Sequence, residues 1–197
     1  FVVDGPVVDD DPEVVHADGP AVGDGPFVVD GPEVVVVDGP EVVDGPEVVD
    51  MPGFPVAALV GLWRGVTTVI PPIDFAKPAQ AVGAVVVHYM RKWGVTNMSG
   101  APAYMQRIAQ HVIEAKQPVE TLSTLAVGGA PVSRDVCGAL NQAYPGIHGL
   151  VLYGSTEAEP MAHVPIQEVL EASGRGYLCG HTCDIAHLAL VDLPKVN

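Results

Sequence analysis

The first fifty residues contain no lysine and no arginine, although they hold fourteen aspartates and glutamates. Residues 51–197 hold ten acids against nine bases, so fourteen of the fifteen net negative charges arise in the first fifty residues. This balance lacks the basic face that meets phosphates, which argues against nucleic-acid binding. The charge distribution therefore predicts two regions: an acidic region, 1–50, and a near-neutral globular region, 51–197, long enough to bury one core.

Cysteines and long apolar runs are also scarce. Three cysteines in 197 residues do not make a disulfide framework. No run of about eighteen apolar residues occurs, and no basic segment precedes an apolar core near Phe1, so a membrane span and a secretion signal both lack support. We therefore expect a cytoplasmic protein without a membrane span. The chain opens with Phe1 instead of Met, which we interpret as fitting a fragment.

The acidic region is a degenerate repeat of Asp-Gly-Pro-Glu-Val-Val. Its Asp-Gly-Pro units are separated by 14, 6, 6, 8 and 6 residues, whereas a solenoid keeps one period. Each unit is a turn signal, and each Val-Val pair is too short for a stable strand. Repulsion among like charges adds to a preference for extended, solvated chain. A stack of very short strands and a translated artefactual repeat are the alternatives.

The globular region alternates helix and strand patterns, which predicts an α/β fold with a mainly parallel sheet and flanking helices. Apolar residues at helical spacing predict helices within Ala79–Trp93, from Pro102 onward, and after Ser133, which is a plausible N-cap. Short apolar runs predict strands at Val95–Met98, Leu125–Val127 and Leu150–Tyr153.

Two motifs follow predicted strands. The first, Val127–Ser133, carries two glycines, and the second, Tyr153–Glu157, carries an aromatic ring, a glycine, two hydroxyls and a carboxylate. Both lie where strands end, which is the edge at which open α/β sheets bind ligands. Together they suit a purine, a phosphate and a divalent cation. The alternative is a pair of ordinary turns, because short motifs also occur by chance.

With these motifs, three further segments resemble the adenylate-forming (AMP-binding) superfamily of acyl-CoA synthetases, luciferases and peptide-synthetase adenylation domains. They are Asp50–Val56, Gly65–Pro71 and Gly94–Ala103, and the resemblance fades near Asp192. It is strongest to the long-chain fatty-acyl and olefin-biosynthesis synthetases. The resemblance implies an incomplete large domain of such an enzyme, preceded by a low-complexity acidic repeat.

The resemblance also implies an activity. Members of the superfamily attack the α-phosphate of ATP with a carboxylate, giving an acyl-adenylate and pyrophosphate, and usually pass the acyl group to a thiol such as CoA. Magnesium and hydrogen-bond donors neutralise the departing charge. The implied cofactors are thus ATP or AMP with Mg²⁺, and the implied partners are a carboxylic (fatty) acid and a thiol acceptor.

The family's functional residues map onto positions of this chain. Glu157 matches the magnesium-binding glutamate and Thr156 the residue whose hydroxyl contacts the α-phosphate, so these two would be catalytic. Tyr153 would lie against the adenine, and Gly100 matches the floor of the acyl pocket. The implied nucleotide-binding set is Gly128, Gly129, Ala130, Pro131, Tyr153, Gly154, Ser155 and Thr156.

Two departures from the family lead to a further expectation. The acidic repeat occupies the place of the Lys-ended loop that wraps the β- and γ-phosphates. After Asp192 the family continues to an acid that holds the ribose and to a small domain with a catalytic lysine, whereas this chain ends at Asn197. We expect that the chain does not form acyl-adenylates on its own. The alternative is a non-catalytic protein, either a nucleotide-binding module or an acidic-repeat protein.

A cysteine and histidine cluster, Cys179–His187, offers a rival interpretation as a zinc site. Its Cys-x-His-x-Cys-x-x-x-His spacing is uncommon for zinc, and a strand there would point neighbouring ligands to opposite faces. We therefore disfavour zinc. No nucleophile with a supporting acid stands out in the sequence. We therefore interpret four further histidines as surface or packing residues: His88, His111, His148 and His163.

Overall fold

The computed structural model of the chain describes the backbone of residues 15–17 and 35–37 and the residues 48–184, apart from the side chain of Leu62. Within these described ranges, nine strands form one sheet with the order β1-β2-β4-β3-β5-β6-β7-β8-β9. The strands are β1 (Val15–Ala17), β2 (Val35–Val37), β3 (Val49–Pro52), β4 (Thr67–Val69), β5 (Asn97–Gly100), β6 (Thr124–Val127), β7 (His148–Ser155), β8 (Ala158–Pro165) and β9 (His181–Thr182). The α-helices are α1 (Pro55–Trp63), α2 (Gly83–Lys92), α3 (Pro102–Ala115), α4 (Arg134–Ala143) and α5 (Ile166–Glu171), with a 3₁₀ turn at Pro78–Gln80.

Five neighbouring strands, β4-β3-β5-β6-β7, run parallel. At one side β8 and β9 continue the sheet antiparallel. At the other side β2 pairs antiparallel with β4, and β1 pairs parallel with β2. The predicted α/β fold with a mainly parallel sheet and flanking helices is confirmed, and it brings the ends of the parallel strands to one edge.

Two short pieces of the acidic repeat, β1 and β2, form this outer part of the sheet. For these six residues, the structure agrees with the alternative of a stack of very short strands. The other residues of 1–47 lie outside the described part of the chain, so the expectation of extended, solvated chain stays a prediction for them.

The predicted helices are present. Helix α3 begins at Pro102, and the Ser133 hydroxyl caps α4 by accepting a hydrogen bond from the Val136 N–H at 3.4 Å. Strand β5 begins at Asn97 and not at Val95, because the Val95 N–H donates to the Met90 carbonyl at 2.9 Å and keeps Val95 in the turn after α2. The predicted strand Leu150–Tyr153 lies within the longer β7.

One face of the sheet carries the core. Alternate residues of β5, β6 and β7, among them Met98, Leu125 and Val151, are buried with α2, α3, α4 and α5, which pack side by side. The intervening residues, such as Ser99 and Ala126, are only half-buried. This alternation shows that the helix layer covers one face more fully than the other.

Helix α1 packs mainly against β3 and β4 and leaves an apolar stripe in solvent. The stripe follows the i, i+3, i+4, i+7 spacing of one helix face, and its last residue, Trp63, is 86% exposed. Its members are Val56, Leu59, Val60 and Trp63.

Across the described residues, every helix is too short or too polar to cross a lipid bilayer.

Candidate functional site

Backbone hydrogen bonds connect the carboxyl ends of three parallel strands. The Gly53 N–H, just after β3, donates to the Ser99 carbonyl of β5 at 2.6 Å. The Gly128 N–H, just after β6, donates to the Gly100 carbonyl at 3.2 Å. The two loops that leave β3 and β6 are therefore held against the end of β5.

The first glycine motif depends on the absence of a side chain. A Cβ on Gly128 would lie 2.7 Å from the carbonyl oxygen of Leu152 on β7, so only glycine permits this approach. Gly129 adopts a φ of +74°, and a Cβ there would lie 3.1 Å from the Phe54 ring. This geometry places the Gly128–Gly129 turn beside the strand that carries the second motif, with Ala130 and Pro131 exposed after it.

The second motif is a β-hairpin that continues β7, whereas we expected the strand to end at Tyr153. Strand β7 continues to Ser155, where Ala158 of β8 pairs with it, so the two-residue turn is Thr156–Glu157. The strand register shifts between Tyr153 and Ser155, an irregularity of the kind that re-aims side chains near sites. The Tyr153 side chain is 45% exposed, which leaves a ring face available to a ligand.

The tip of the hairpin carries a negative charge. Hydrogen bonds from the Glu157 backbone N–H and from the Ser155 hydroxyl hold the pKa of the Glu157 carboxyl below its usual range. Glu157 is therefore ionised at neutral pH and fully exposed. A carboxylate with neighbouring hydroxyls is a donor set that fits Mg²⁺, which commonly takes one or two carboxylates together with substrate phosphates and water.

The fold brings most of the predicted residues to one edge of the sheet. Gly128 and Gly129 lie against the end of β7, which leads into the Tyr153–Glu157 hairpin. Gly100 ends β5 at the same edge, but the position of its missing Cβ is filled by the Tyr104 ring, so Gly100 faces a packed aromatic side chain.

The sequence interpretation missed two aromatic residues that support this edge. Phe54 packs against Gly129, and Tyr104 packs against both Gly53 and Gly100. The Tyr104 hydroxyl is buried and has no hydrogen-bond partner among the described residues, and burial raises its pKa. Gly100, four residues before Tyr104 in the first turn of α3, was the available signal in the sequence.

Asp50 was also missed as a titrating group. It lies on β3, half-buried, beside Asn97 of β5. Burial raises the pKa of Asp50 from 3.8 to about 6, against the opposing effects of the Met51 backbone N–H and the Arg64 charge.

A cavity of about 290 Å³ opens at the end of the first motif. Its lining includes Val132 and Ser133, the last two residues of that motif, together with Arg134 and Tyr177. None of the predicted site residues lines it, so the cavity and the predicted nucleotide site are separate features.

The cysteine and histidine cluster is described up to residue 184, and His187 lies beyond. Within the described ranges no three His, Cys, Asp or Glu side chains are grouped to hold a metal ion. The strand that we expected from Ile185, Leu188 and Leu190 lies outside the described residues, so the expectation about ligand faces stays a prediction. In the described part, His181 lies opposite His163 in the β8–β9 pair, and the Cys183 Sγ, just after β9, lies 3.4 Å from the His163 Nδ1.

Comparisons with known proteins agree with this geometry. The family described as AMP-binding enzyme matches residues 52–194. An olefin beta-lactone synthetase of Stenotrophomonas maltophilia (strain K279a) is 35% identical over 120 residues, which is 60% of this chain and 21% of that protein. The chain spans about a fifth of the length of the curated relatives it matches.

Solved structures share the fold at low sequence identity. The O-succinylbenzoate coenzyme A synthetase of Bacillus subtilis, in complex with AMP, is 16% identical with a TM-score of 0.52, covering 73% of this chain and 28% of its own. The luciferase-like enzyme of the nonluminescent mealworm Zophobas morio is 17% identical with a TM-score of 0.53, covering 68% of this chain and 32% of its own.

Proposed function

The chain belongs to the AMP-binding enzyme family, and on that premise we propose that it is the nucleotide-binding part of an ATP-dependent ligase that adenylates a carboxylic acid. One observation carries the proposal: Gly128 approaches the backbone of Leu152 so closely that the glycine turn and the Tyr153–Glu157 hairpin share one strand edge. The planar base needs small residues to lie against, and the phosphates need a polar loop beside them, as this edge provides.

The adenine would lie between the small-residue wall and the Tyr153 ring. Gly128, Gly129, Ala130 and Pro131 present backbone and short side chains, which lets a planar base approach. The exposed ring of Tyr153 offers a stacking face, an interaction that tolerates water at its rim. Gly154 and Ser155 follow without a bulky side chain, so the phosphates can pass over them.

The phosphates would meet the hairpin turn. The Thr156 hydroxyl is exposed at the tip and can donate a hydrogen bond to the α-phosphate. Glu157 would hold Mg²⁺, which when bound neutralises phosphate charge as pyrophosphate leaves. In this proposal the chain itself contributes positioning and one fixed carboxylate.

The reaction proposed for the complete enzyme joins an acid to AMP. A carboxylate oxygen attacks the α-phosphorus of ATP, the bond to the β-phosphate oxygen breaks, and an acyl-adenylate and pyrophosphate result. A thiol such as CoA is the proposed acceptor. A fatty acid is the proposed substrate, supported by the 35% identity to an olefin beta-lactone synthetase.

The 197-residue chain alone is proposed to bind nucleotide without completing adenylation. Residues 1–50 provide no lysine or arginine for the β- and γ-phosphates, and fourteen acids there repel them. The cytoplasm remains the proposed location.

Calorimetric titration of the purified chain with AMP, and with ATP in the presence and absence of MgCl₂, tests the proposal. Tyr153→Ala should weaken AMP and ATP binding about tenfold, since stacking of a base on an aromatic ring contributes about 1–3 kcal/mol. Glu157→Gln should abolish the magnesium dependence of ATP binding and leave AMP binding unchanged.

The matched control is Glu168→Gln, which removes an exposed carboxylate from α5, away from the hairpin. It should bind both nucleotides as the unmodified chain does. Equal affinities for all four proteins, or no binding by the unmodified chain, would contradict the proposal. Exchange of pyrophosphate into ATP that depends on a fatty acid would overturn the proposal that the chain alone does not form an acyl-adenylate.

A further inference from the structure

A thiol and an imidazole meet on β8 and β9, outside the proposed nucleotide site. The Cys183 Sγ lies 3.4 Å from the His163 Nδ1, within the range of a sulfur hydrogen bond. The Cys183 N–H donates to the Met161 carbonyl at 2.9 Å, so the backbone holds the thiol beside β8. Two residues earlier, His181 lies directly opposite His163. The thiol therefore has a fixed imidazole neighbour with a second one close by.

The other two cysteines lack this arrangement. Cys137 is buried in α4, and burial raises the pKa of its thiol to about 11. Cys179 is half-buried like Cys183, but its thiol donates a hydrogen bond to the Tyr177 carbonyl at 3.8 Å and none to an imidazole of the described residues. Among the described residues, the chain thus contains a buried thiol, a partly exposed thiol with no imidazole hydrogen bond, and a partly exposed thiol beside an imidazole.

We propose that Cys183 is a site of covalent modification by small, soft electrophiles, with His163 as its general base. The imidazole is exposed and the thiol is half-buried, so a small molecule can reach the sulfur from solvent. A positioned base increases the rate at which a thiol is alkylated, because the thiolate is the nucleophile. The site is independent of the proposed function.

The step balances with iodoacetamide as the electrophile. The Cys183 sulfur attacks the methylene carbon, an S–C bond forms, the C–I bond breaks and iodide leaves. The thiol proton passes to the His163 Nδ1 and then to solvent. No oxidant, reductant or metal takes part.

Pulsed alkylation of the native chain with iodoacetamide tests the proposal. Cys179 and Cys183 share one tryptic peptide, so tandem mass spectrometry must assign the label to each sulfur. Cys183 should react about tenfold faster than Cys179, less than general-base catalysis gives in enzymes because the pair is partly in water. His163→Gln should reduce the Cys183 rate to that of Cys179 and leave the Cys179 rate unchanged.

His148→Gln is the matched control, since His148 is exposed on β7 and forms no hydrogen bond with a cysteine among the described residues. It should leave the Cys183 rate unchanged. Cys137 reports on folding in every variant, because it should stay unlabelled until urea unfolds the chain. Equal rates for Cys179 and Cys183, or a Cys183 rate unaffected by His163→Gln in a chain with protected Cys137, would overturn the proposal.

Discussion

The small-residue wall and the tip of the hairpin lie at one sheet edge but differ in how tightly they are packed. The wall is specified by packing: Gly128 is buried against the Leu152 backbone, and Gly129 is in the left-handed region against Phe54. The tip, Thr156–Glu157, is exposed. The packed part and the exposed part of the proposed nucleotide site can therefore be separated by mutation.

The two acids Asp50 and Glu157 show the same difference. Asp50 is half-buried on β3, and burial raises its pKa, whereas hydrogen bonds lower the pKa of the exposed Glu157. The first carboxyl opposes folding when it ionises. The second is ionised where a ligand can reach it.

Gly128→Ala should produce the largest loss of stability. The added Cβ would lie 2.7 Å from a backbone carbonyl that cannot move without disturbing β7, so we expect a loss of about 3 kcal/mol in the free energy of unfolding. Urea denaturation followed by circular dichroism measures it. Gly138→Ala is the matched control, because its Cβ meets nothing within 4 Å in α4 and should stabilise by up to about 1 kcal/mol. Equal effects of the two substitutions would show that close packing does not make glycine necessary at position 128.

Asp50→Asn should change how stability depends on pH. Because the folded pKa of about 6 exceeds the ordinary 3.8, the contribution of this group to stability is full below about pH 4 and is lost as the pH rises through 6. The difference corresponds to at most about 3 kcal/mol. The substituted amide does not titrate. The urea midpoint of the variant should therefore rise relative to that of the unmodified chain as the pH increases from about 4 to about 7. Glu120→Gln, which alters an exposed acid, should keep the unmodified pH profile.

Glu157→Gln should have the smallest effect on folding. The side chain is fully exposed and its replacement removes no packing contact, so the free energy of unfolding should stay nearly unchanged. The same urea assay should give overlapping curves for this variant and the unmodified chain. A loss comparable with that of Gly128→Ala would show that the tip is also part of the folding scaffold.

Periodicity was enough to predict much of this architecture. The start of α3 at Pro102 and the Ser133 cap of α4 follow from local chemistry, since proline suits a first helical position and serine a cap. The parallel order follows from strands alternating with helices. The two motifs could be placed at a strand edge for the same reason.

Other features depend on contacts between distant segments, which sequence spacing does not report. The β8 strand turned the expected loop after Tyr153 into a hairpin through pairing with β7. The closeness of Gly128 to Leu152, the Tyr104 ring beside Gly100, and the burial of Asp50 all need the packed sheet. The contact between His163 and Cys183 joins residues that are twenty positions apart in the sequence, and it depends on how β9 pairs with β8.

The apolar stripe of α1 has an optical consequence. Its last residue, Trp63, is 86% exposed, while the second tryptophan of the chain, Trp93, is half-buried beside Lys92. The fluorescence of the native chain therefore combines a hydrated indole, open to quenching by acrylamide, with a shielded one. Any surface that comes to cover α1 must shift the Trp63 emission to shorter wavelength, so this helix carries its own reporter of contact.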